Sequence, residues 1–132
     1  MVIMKCLDSN LLIDFLREKI EALKKMKELE NEPLGTTTVN VFELLYGAKI
    51  SDHRDQNLKE VKKIMGNLEL LSFDYKAAEE ASSILTELKK SGQMIEIRDI
   101  FIAGICCANN VDLVTRNVDH FKNIRGLNIE KY

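Results

Sequence analysis

The chain has 132 residues and 45% hydrophobic composition, which fits one compact domain spanning residues 1–132 with a real core. Nineteen Lys and Arg stand against 21 Asp and Glu, a formal net charge of −2, so the broad basic surface of a strong nucleic-acid binder is excluded and any such contact must be local or metal-mediated. The longest apolar runs, such as residues 100–108, are too short to cross a bilayer, and no basic region leads into a cleavable apolar stretch, so a soluble, cytoplasmic protein without membrane contact is expected.

Val2 to Leu7 is a short apolar run ahead of Asp8-Ser9-Asn10, and Leu11, Leu12, Phe15 and Leu16 then recur at helical spacing. This predicts a strand entering a helix capped by Ser9 or Asn10. Residues 19–30 are charge-rich, with Ile20, Leu23, Met26 and Leu29 forming the apolar stripe of a helix. The only proline, Pro33, opens a β-favouring stretch to Thr37, and Thr38 is placed to cap a helix that carries Glu43 in its first turns and runs towards Gly47. Residues 52–65 read as an exposed helix, 68–73 as a buried strand, and 75–90 as a long amphipathic helix stopped by Gly92. Residues 100–108 have almost no polar face and predict a helix buried on most sides, with Asp99 at its start, where the helix dipole favours a negative charge. Two last strands are expected at 112–115 and 127–130, separated by the polar, basic segment 116–125. Alternating strands and helices of this length predict an α/β fold, a three-layer α/β/α sandwich with a mainly parallel central sheet. The three cysteines, Cys6, Cys106 and Cys107, lack the CxxC spacing of a zinc site and read as small buried residues in a reducing compartment.

Four stretches bring a carboxylate or amide to a place where strand meets helix: the segments holding Asp8, Glu43, Asp99, and Thr115 to Asn117. A parallel sheet carries Asp8 and the Thr115–Asn117 turn to the same edge, and Glu43 and Asp99, near helix starts, are placed to join them. Carboxylates packed together repel, and with few basic residues near Asp8 and Glu43 in sequence, a hard cation is the natural counter-charge. An all-oxygen donor set favours Mg²⁺ or Mn²⁺. Such an ion, open to water, can promote attack on a phosphodiester. Nucleotide-driven group transfer is disfavoured, because no glycine-rich phosphate loop is present. Asn10 stands where a haloacid dehalogenase-type enzyme would need its second aspartate, and the Thr115–Asn117 turn lacks the lysine of a response-regulator receiver.

The series LDSNLLIDFL at 7–16, TTTVNVFELLYG at 36–47, RDIFIAGICCANN at 98–110 and LVTRNVDHFKNIRGLNIE at 113–130 resembles the PIN-domain family, in particular its VapC-type toxins of toxin–antitoxin modules. The resemblance implies a Mg²⁺-dependent (or Mn²⁺-dependent) ribonuclease, with RNA as substrate, a cognate antitoxin as inhibitory partner, and a homodimer. It implies that Asp8 and Asp99 are metal ligands and that Glu43 completes the acidic cluster, binding the metal directly or through water. The fourth catalytic position is often Asp in the family but here is Asn117, which brings no charge; Asp119, two residues on, is a possible substitute. Thr115 and Asn10 would hold the carboxylates in place. The resemblance implies an apolar groove among the first three helices for an antitoxin segment, with the exposed apolar residues of the stripes at 11–16, 20–29 and 44–46 as the candidate contacts. The alternative is a PIN-like module that binds RNA or a partner with little or no nuclease activity.

Other polar residues have plainer readings. Asp14 is expected to be solvated on the outer face of its helix. His53 and His120 are isolated, without the spacing of a metal site or an adjacent nucleophile, and neither is given a catalytic role. Arg98 and Arg116 adjoin the predicted site and serve either as phosphate contacts or as surface ion pairs.

Overall fold

The computed structural model describes residues 3–132; Val2, where the first predicted strand begins, lies outside them. The elements are β1 (Lys5–Leu7), α1 (Ser9–Leu16), α2 (Ile20–Glu28), β2 (Leu34–Thr37), α3 (Thr38–Lys49), α4 (Arg54–Met65), β3 (Glu69–Leu71), α5 (Tyr75–Ser91), α6 (Ile97–Asn109), β4 (Asp112–Thr115), α7 (Val118–Phe121) and β5 (Ile129–Lys131). The five strands form one sheet in the order β3-β2-β1-β4-β5, and every neighbouring pair is parallel.

Alternation along the central strands divides the core between two helical layers. Cys6 and Leu113, paired across β1 and β4, face Ile102, Ile105 and Cys106 of α6 and Ala81 and Leu88 of α5. The next pair, Leu7 and Val114, faces the opposite layer, where Leu11, Leu12, Ala22, Leu44 and Val61 cover it from α1 to α4. With both faces covered, this is the predicted three-layer sandwich, its sheet wholly parallel. Each fully buried Leu or Ile contributes on the order of 1.5–3 kcal/mol.

Several local expectations change in the folded chain. Asp8 itself caps α1, its side chain accepting from the Ser9 N–H, and Thr37 rather than Thr38 caps α3. An extended residue whose side chain folds back on the next turn can end a strand and start a helix at once, which moves both caps one residue earlier. Residues 68–73 are not a buried strand: β3 is an edge strand of three residues with Glu69 and Leu70 exposed, because only one side of it has a partner. The polar segment 116–125 contains the short α7, whose Phe121 is fully buried. α6 begins earlier than the apolar run, so Asp99 sits inside its first turn. Cys6 and Cys106 are buried, Cys107 is half-buried, and all three are free thiols. The neighbouring Cys6 thiol and burial hold the Cys106 pKa well above the usual range, so it stays protonated. No described helix is long and apolar enough to cross a membrane.

The topology also fixes where ligands can bind. From β1 the chain moves outward through β2 and β3, then returns to add β4 and β5 on the other side, so strand order reverses between β1 and β4. The carboxyl ends of those two strands deliver Asp8 and Thr115 side by side, at the crevice that open parallel sheets use for ligands.

Packing between α5 and α6 depends on Gly104. A Cβ there would stand 2.7 Å from the Ala77 carbonyl oxygen and 2.7 Å from the Ala81 Cβ. Alanine has the better helix propensity, by about 1 kcal/mol. The clash is with backbone and cannot be relieved by a rotamer change, so overpacking of about 1–3 kcal/mol outweighs that gain. Gly104→Ala is therefore expected to lower stability, read as a decreased midpoint in urea with an unchanged slope.

Candidate active site

Asp8 is fully buried and is held from both sides. Its Oδ1 accepts from the Ser9 N–H at 2.8 Å, the Asn40 side-chain amide at 2.8 Å and Arg98 Nη2 at 2.9 Å. Its Oδ2 accepts from the Thr115 hydroxyl at 2.6 Å. Asn40 in turn is oriented by Thr37, whose hydroxyl donates to Asn40 Oδ1 at 2.7 Å and accepts from the Asn40 N–H at 3.1 Å. That leaves the Asn40 NH₂ to donate to both Asp8 and Ser9 Oγ, the latter at 2.8 Å. Ser9 Oγ then donates to Glu43 Oε1 at 2.6 Å. One directed chain of hydrogen bonds thus runs from the end of β2 through α3 to two acids, and among the described residues no buried side-chain polar atom lacks a partner.

The acids meet at a guanidinium. Arg98 Nε donates to Glu43 Oε2 at 2.6 Å, Nη2 to Glu43 Oε1 at 2.8 Å and to Asp8 Oδ1, and Nη1 to Asp99 Oδ1. Burial opposes the charge of Arg98, but its hydrogen bonds to Glu43 and the charge of Asp8 outweigh that cost and hold its pKa above the ordinary arginine value. The expected counter-charge for Asp8 and Glu43 is therefore present as an arginine. Arg98 adjoins Asp99 in sequence, but it lies 90 positions from Asp8 and reaches it only through the fold, so its pairing with all three acids is not local.

Asp99, 1% exposed, has a second partner, with its Oδ2 lying 3.0 Å from His120 Nδ1. Asn117 donates its backbone N–H to Thr115 Oγ1 at 3.1 Å and shares with Glu43, Arg98, Asp99 and His120 the wall of an open cavity of about 320 Å³. Asp119 is exposed and pairs with Lys122, away from these groups. Asn10 also borders the cavity but turns its side chain to the Arg116 N–H at 3.4 Å and makes no hydrogen bond to Asp8. Asn40 and Ser9 fill the supporting positions instead, beside Thr115. Asn40 was legible in principle, since it lies three residues before Glu43 and so on the same face of α3. His120 carried no comparable signal, as its partner is 21 residues away.

Asp14 is not solvated. It is 5% exposed, and Arg116 and the Tyr132 hydroxyl both donate to its Oδ2. The Arg116 guanidinium also lies 5.0 Å from the Tyr132 ring centroid, so Arg116 is committed to an ion pair and a cation–π contact at the rim of the site. The end of β5 folds back over α1, which covers a helix face that sequence pattern alone leaves open to water.

Among the described residues, no group of three carboxylate, thiolate or imidazole side chains stands close enough to hold a metal ion as arranged. The donor set nevertheless fits a hard divalent cation. Asp8, Glu43 and Asp99 offer only oxygen, and their three formal charges face the single charge of Arg98.

A family model of the PIN domain matches residues 5–127. The chain belongs to the PIN-domain family. Among curated PIN relatives it is 30% identical, over 126 residues and 96% of both chains, to the tRNA(fMet)-specific endonuclease VapC of Salmonella typhimurium. Its PIN fold superposes on the crystal structure of VapBC2 from Rickettsia felis bound to a DNA fragment from their promoter, with a TM-score of 0.89, 26% identity and 98% of both chains covered. VapBC-5 from Mycobacterium tuberculosis, a member of the VapBC family of toxin–antitoxin systems, gives a TM-score of 0.70 at 25% identity, covering 97% of this chain and 96% of that one. The match is to the VapC type of PIN domain.

Asp14 supplies a pH test within this PIN fold. Burial alone would raise its pKa, but the Tyr132 hydrogen bond and the charge of Arg116 outweigh burial and hold it below the ordinary Asp value. A depressed folded-state value contributes stability that is complete above the unfolded Asp pKa of about 3.9 and is lost as pH falls through the folded value. Asp14→Asn is expected to cost about 1–3 kcal/mol at pH 7. In urea titrations across pH 2.5–7 the gap between parent and variant should close only below about pH 4.

Proposed function

We propose that this chain is a ribonuclease toxin of the VapBC type, hydrolysing RNA phosphodiester bonds with a divalent cation as cofactor and held in check by a cognate antitoxin. The observation that carries this reading is the gathering of Asp8, Glu43 and Asp99 from three distant segments around one positive charge, at the strand-order reversal, beside an open cavity. The 30% identity to an endonuclease VapC over 96% of the chain supports the same chemistry.

Mg²⁺ or Mn²⁺ held by Asp8, Glu43 and Asp99 would supply a Lewis acid that makes water a competent nucleophile at neutral pH and offsets charge on the leaving oxygen. The chain's own groups do the positioning. Thr115, Asn40 and the Ser9 N–H fix the Asp8 carboxylate in one orientation, Ser9 Oγ fixes Glu43, and His120 fixes Asp99. Asn117 presents an amide on the cavity wall for a water or a phosphate oxygen, and Asn10 stands at the rim. With overall charge −2, contact with RNA at a local, cation-dependent site is the electrostatically consistent mode.

For the antitoxin, α3 and the residue that ends it supply an apolar stripe: Phe42, Tyr46 and Ile50 are 67%, 57% and 66% exposed, and the two rings stack with centroids 6.3 Å apart. Of the stripes expected to offer exposed apolar residues, Leu11, Leu12 and Leu44 face the core, while Ile20, Leu23 and Tyr46 are the exposed members. A homodimer belongs to the same reading. Arg98 in the carboxylate cage favours a second reading, a PIN-like module that binds RNA or a partner with little or no cleavage.

Cleavage of a mixed RNA panel that includes initiator tRNA, with and without Mg²⁺, separates the two. The parent should cut at least one RNA only when Mg²⁺ is present. Asp8→Asn and Asp99→Asn should each slow that cut by more than the roughly 10–100-fold that loss of an outer supporting group costs. Cleavage that both variants retain, or no Mg²⁺-dependent cleavage by the parent, rejects the nuclease reading. The toxin role is tested by expression alone, which should arrest growth, and by co-expression of the small protein encoded beside it, which should restore it.

A further inference from the structure

The carboxylate cage already has a tenant. We propose that Arg98 and a divalent cation occupy the same position in turn, so that metal binds only when the guanidinium leaves Asp8, Glu43 and Asp99. This rests on the metal-dependent reading above and adds to it a built-in competitor within the chain.

Three observations carry it. First, Arg98 touches every acid of the cage and uses all three of its nitrogens to do so. Second, it consumes the directions that a metal would need. Glu43 Oε1 accepts from Ser9 and Arg98, so it has no lone pair free while Arg98 stays, and Arg98 also takes Glu43 Oε2 and Asp99 Oδ1 and crowds Asp8 Oδ1 as a third donor. A dication placed among these oxygens would also lie against a guanidinium, and like charges in a half-buried site repel strongly. Third, the arginine has somewhere to go. It sits in the first turn of α6, its side chain is 24% exposed, and it borders the open cavity of about 320 Å³. Rotation of one long side chain into that space opens the cage without moving the helix.

The thermodynamic consequence follows from population. If the cage stands open about one-tenth of the time, the apparent metal affinity of the parent is about tenfold weaker than that of a cage with no arginine. Arg98 thereby neutralises the acids when no cation is present and sets the cation concentration at which the site fills.

The test uses the full chain and reads metal binding directly. Mn²⁺ affinity is measured by titration calorimetry on the parent, Arg98→Gln and Arg98→Lys. In parallel, Mg²⁺ is titrated into the ¹⁵N-labelled parent while the Arg98 Nε–H resonance is followed, assigned by its loss in Arg98→Lys. Arg98→Gln should bind Mn²⁺ about tenfold or more tightly than the parent, with Arg98→Lys in between, and Mg²⁺ should shift the parent's Arg98 resonance towards that of a free arginine. If Arg98→Gln does not fold, the resonance in the parent decides by itself. Equal affinity in all three proteins, or an Arg98 resonance unmoved at saturating Mg²⁺, overturns the proposal and leaves the nuclease reading standing. No cation binding to either the parent or Arg98→Gln overturns both. Competition seen in a protein that cuts no RNA supports this proposal and rejects the nuclease reading alone.

Discussion

Three carboxylates brought to one point must be compensated, and most of the chain's local architecture around the carboxyl end of the sheet answers that requirement. Asp8, Glu43 and Asp99 come from the start of α1, the middle of α3 and the first turn of α6. Uncompensated, buried charges of one sign would cost far more than a domain's whole margin of stability. Arg98 supplies charge in a planar fork that reaches all three acids, a geometry lysine does not offer. Thr115, Asn40 and Ser9 then add neutral donors to Asp8 and Glu43.

The same residues serve fold and site together, which ties the two energetically. Asp8 follows directly on β1, caps α1 and presents its carboxylate to the cage. Thr37 ends β2, caps α3 and orients Asn40. A strand end that is also a helix cap costs the chain no extra residues, and it places the acid where the dipole of the helix it starts favours negative charge. Asp14, Arg116 and Tyr132 form a second polar cluster that holds the end of β5 over α1, so the rim of the cavity is braced by contacts independent of the acids.

The layered architecture was open to reading because hydrophobic period reports it directly. Alternating short apolar runs and longer amphipathic stretches forced covered strands and hence a parallel sheet. Where the pattern is weak the structure departs from it: β3 is an exposed edge because only one side of it has a partner strand, and α7 is too short to show a period. The candidate site was legible in its acids, since a carboxylate within an apolar run is conspicuous. Asp14 misled for the complementary reason: it looks solvated on a helical wheel, yet it is covered by Arg116 and Tyr132, 102 and 118 positions away.

The sequence by itself determined the α/β class, the strand-to-helix turn at Asp8, and the acids that stand out in apolar runs, because these follow from period and local capping; Asp99 and Glu43 are not at such turns, since α6 follows the helix α5 and Glu43 lies in the middle of α3. Only the tertiary structure decided how the acids are compensated. The pairings of Arg98 with Asp8, Asn40 with Asp8, and His120 with Asp99 span 90, 32 and 21 positions. Such contacts depend on strand order and helix placement, which no local pattern encodes. The positive charge absent from the sequence neighbourhoods of Asp8 and Glu43 stands beside Asp99 and is carried into the cage by α6.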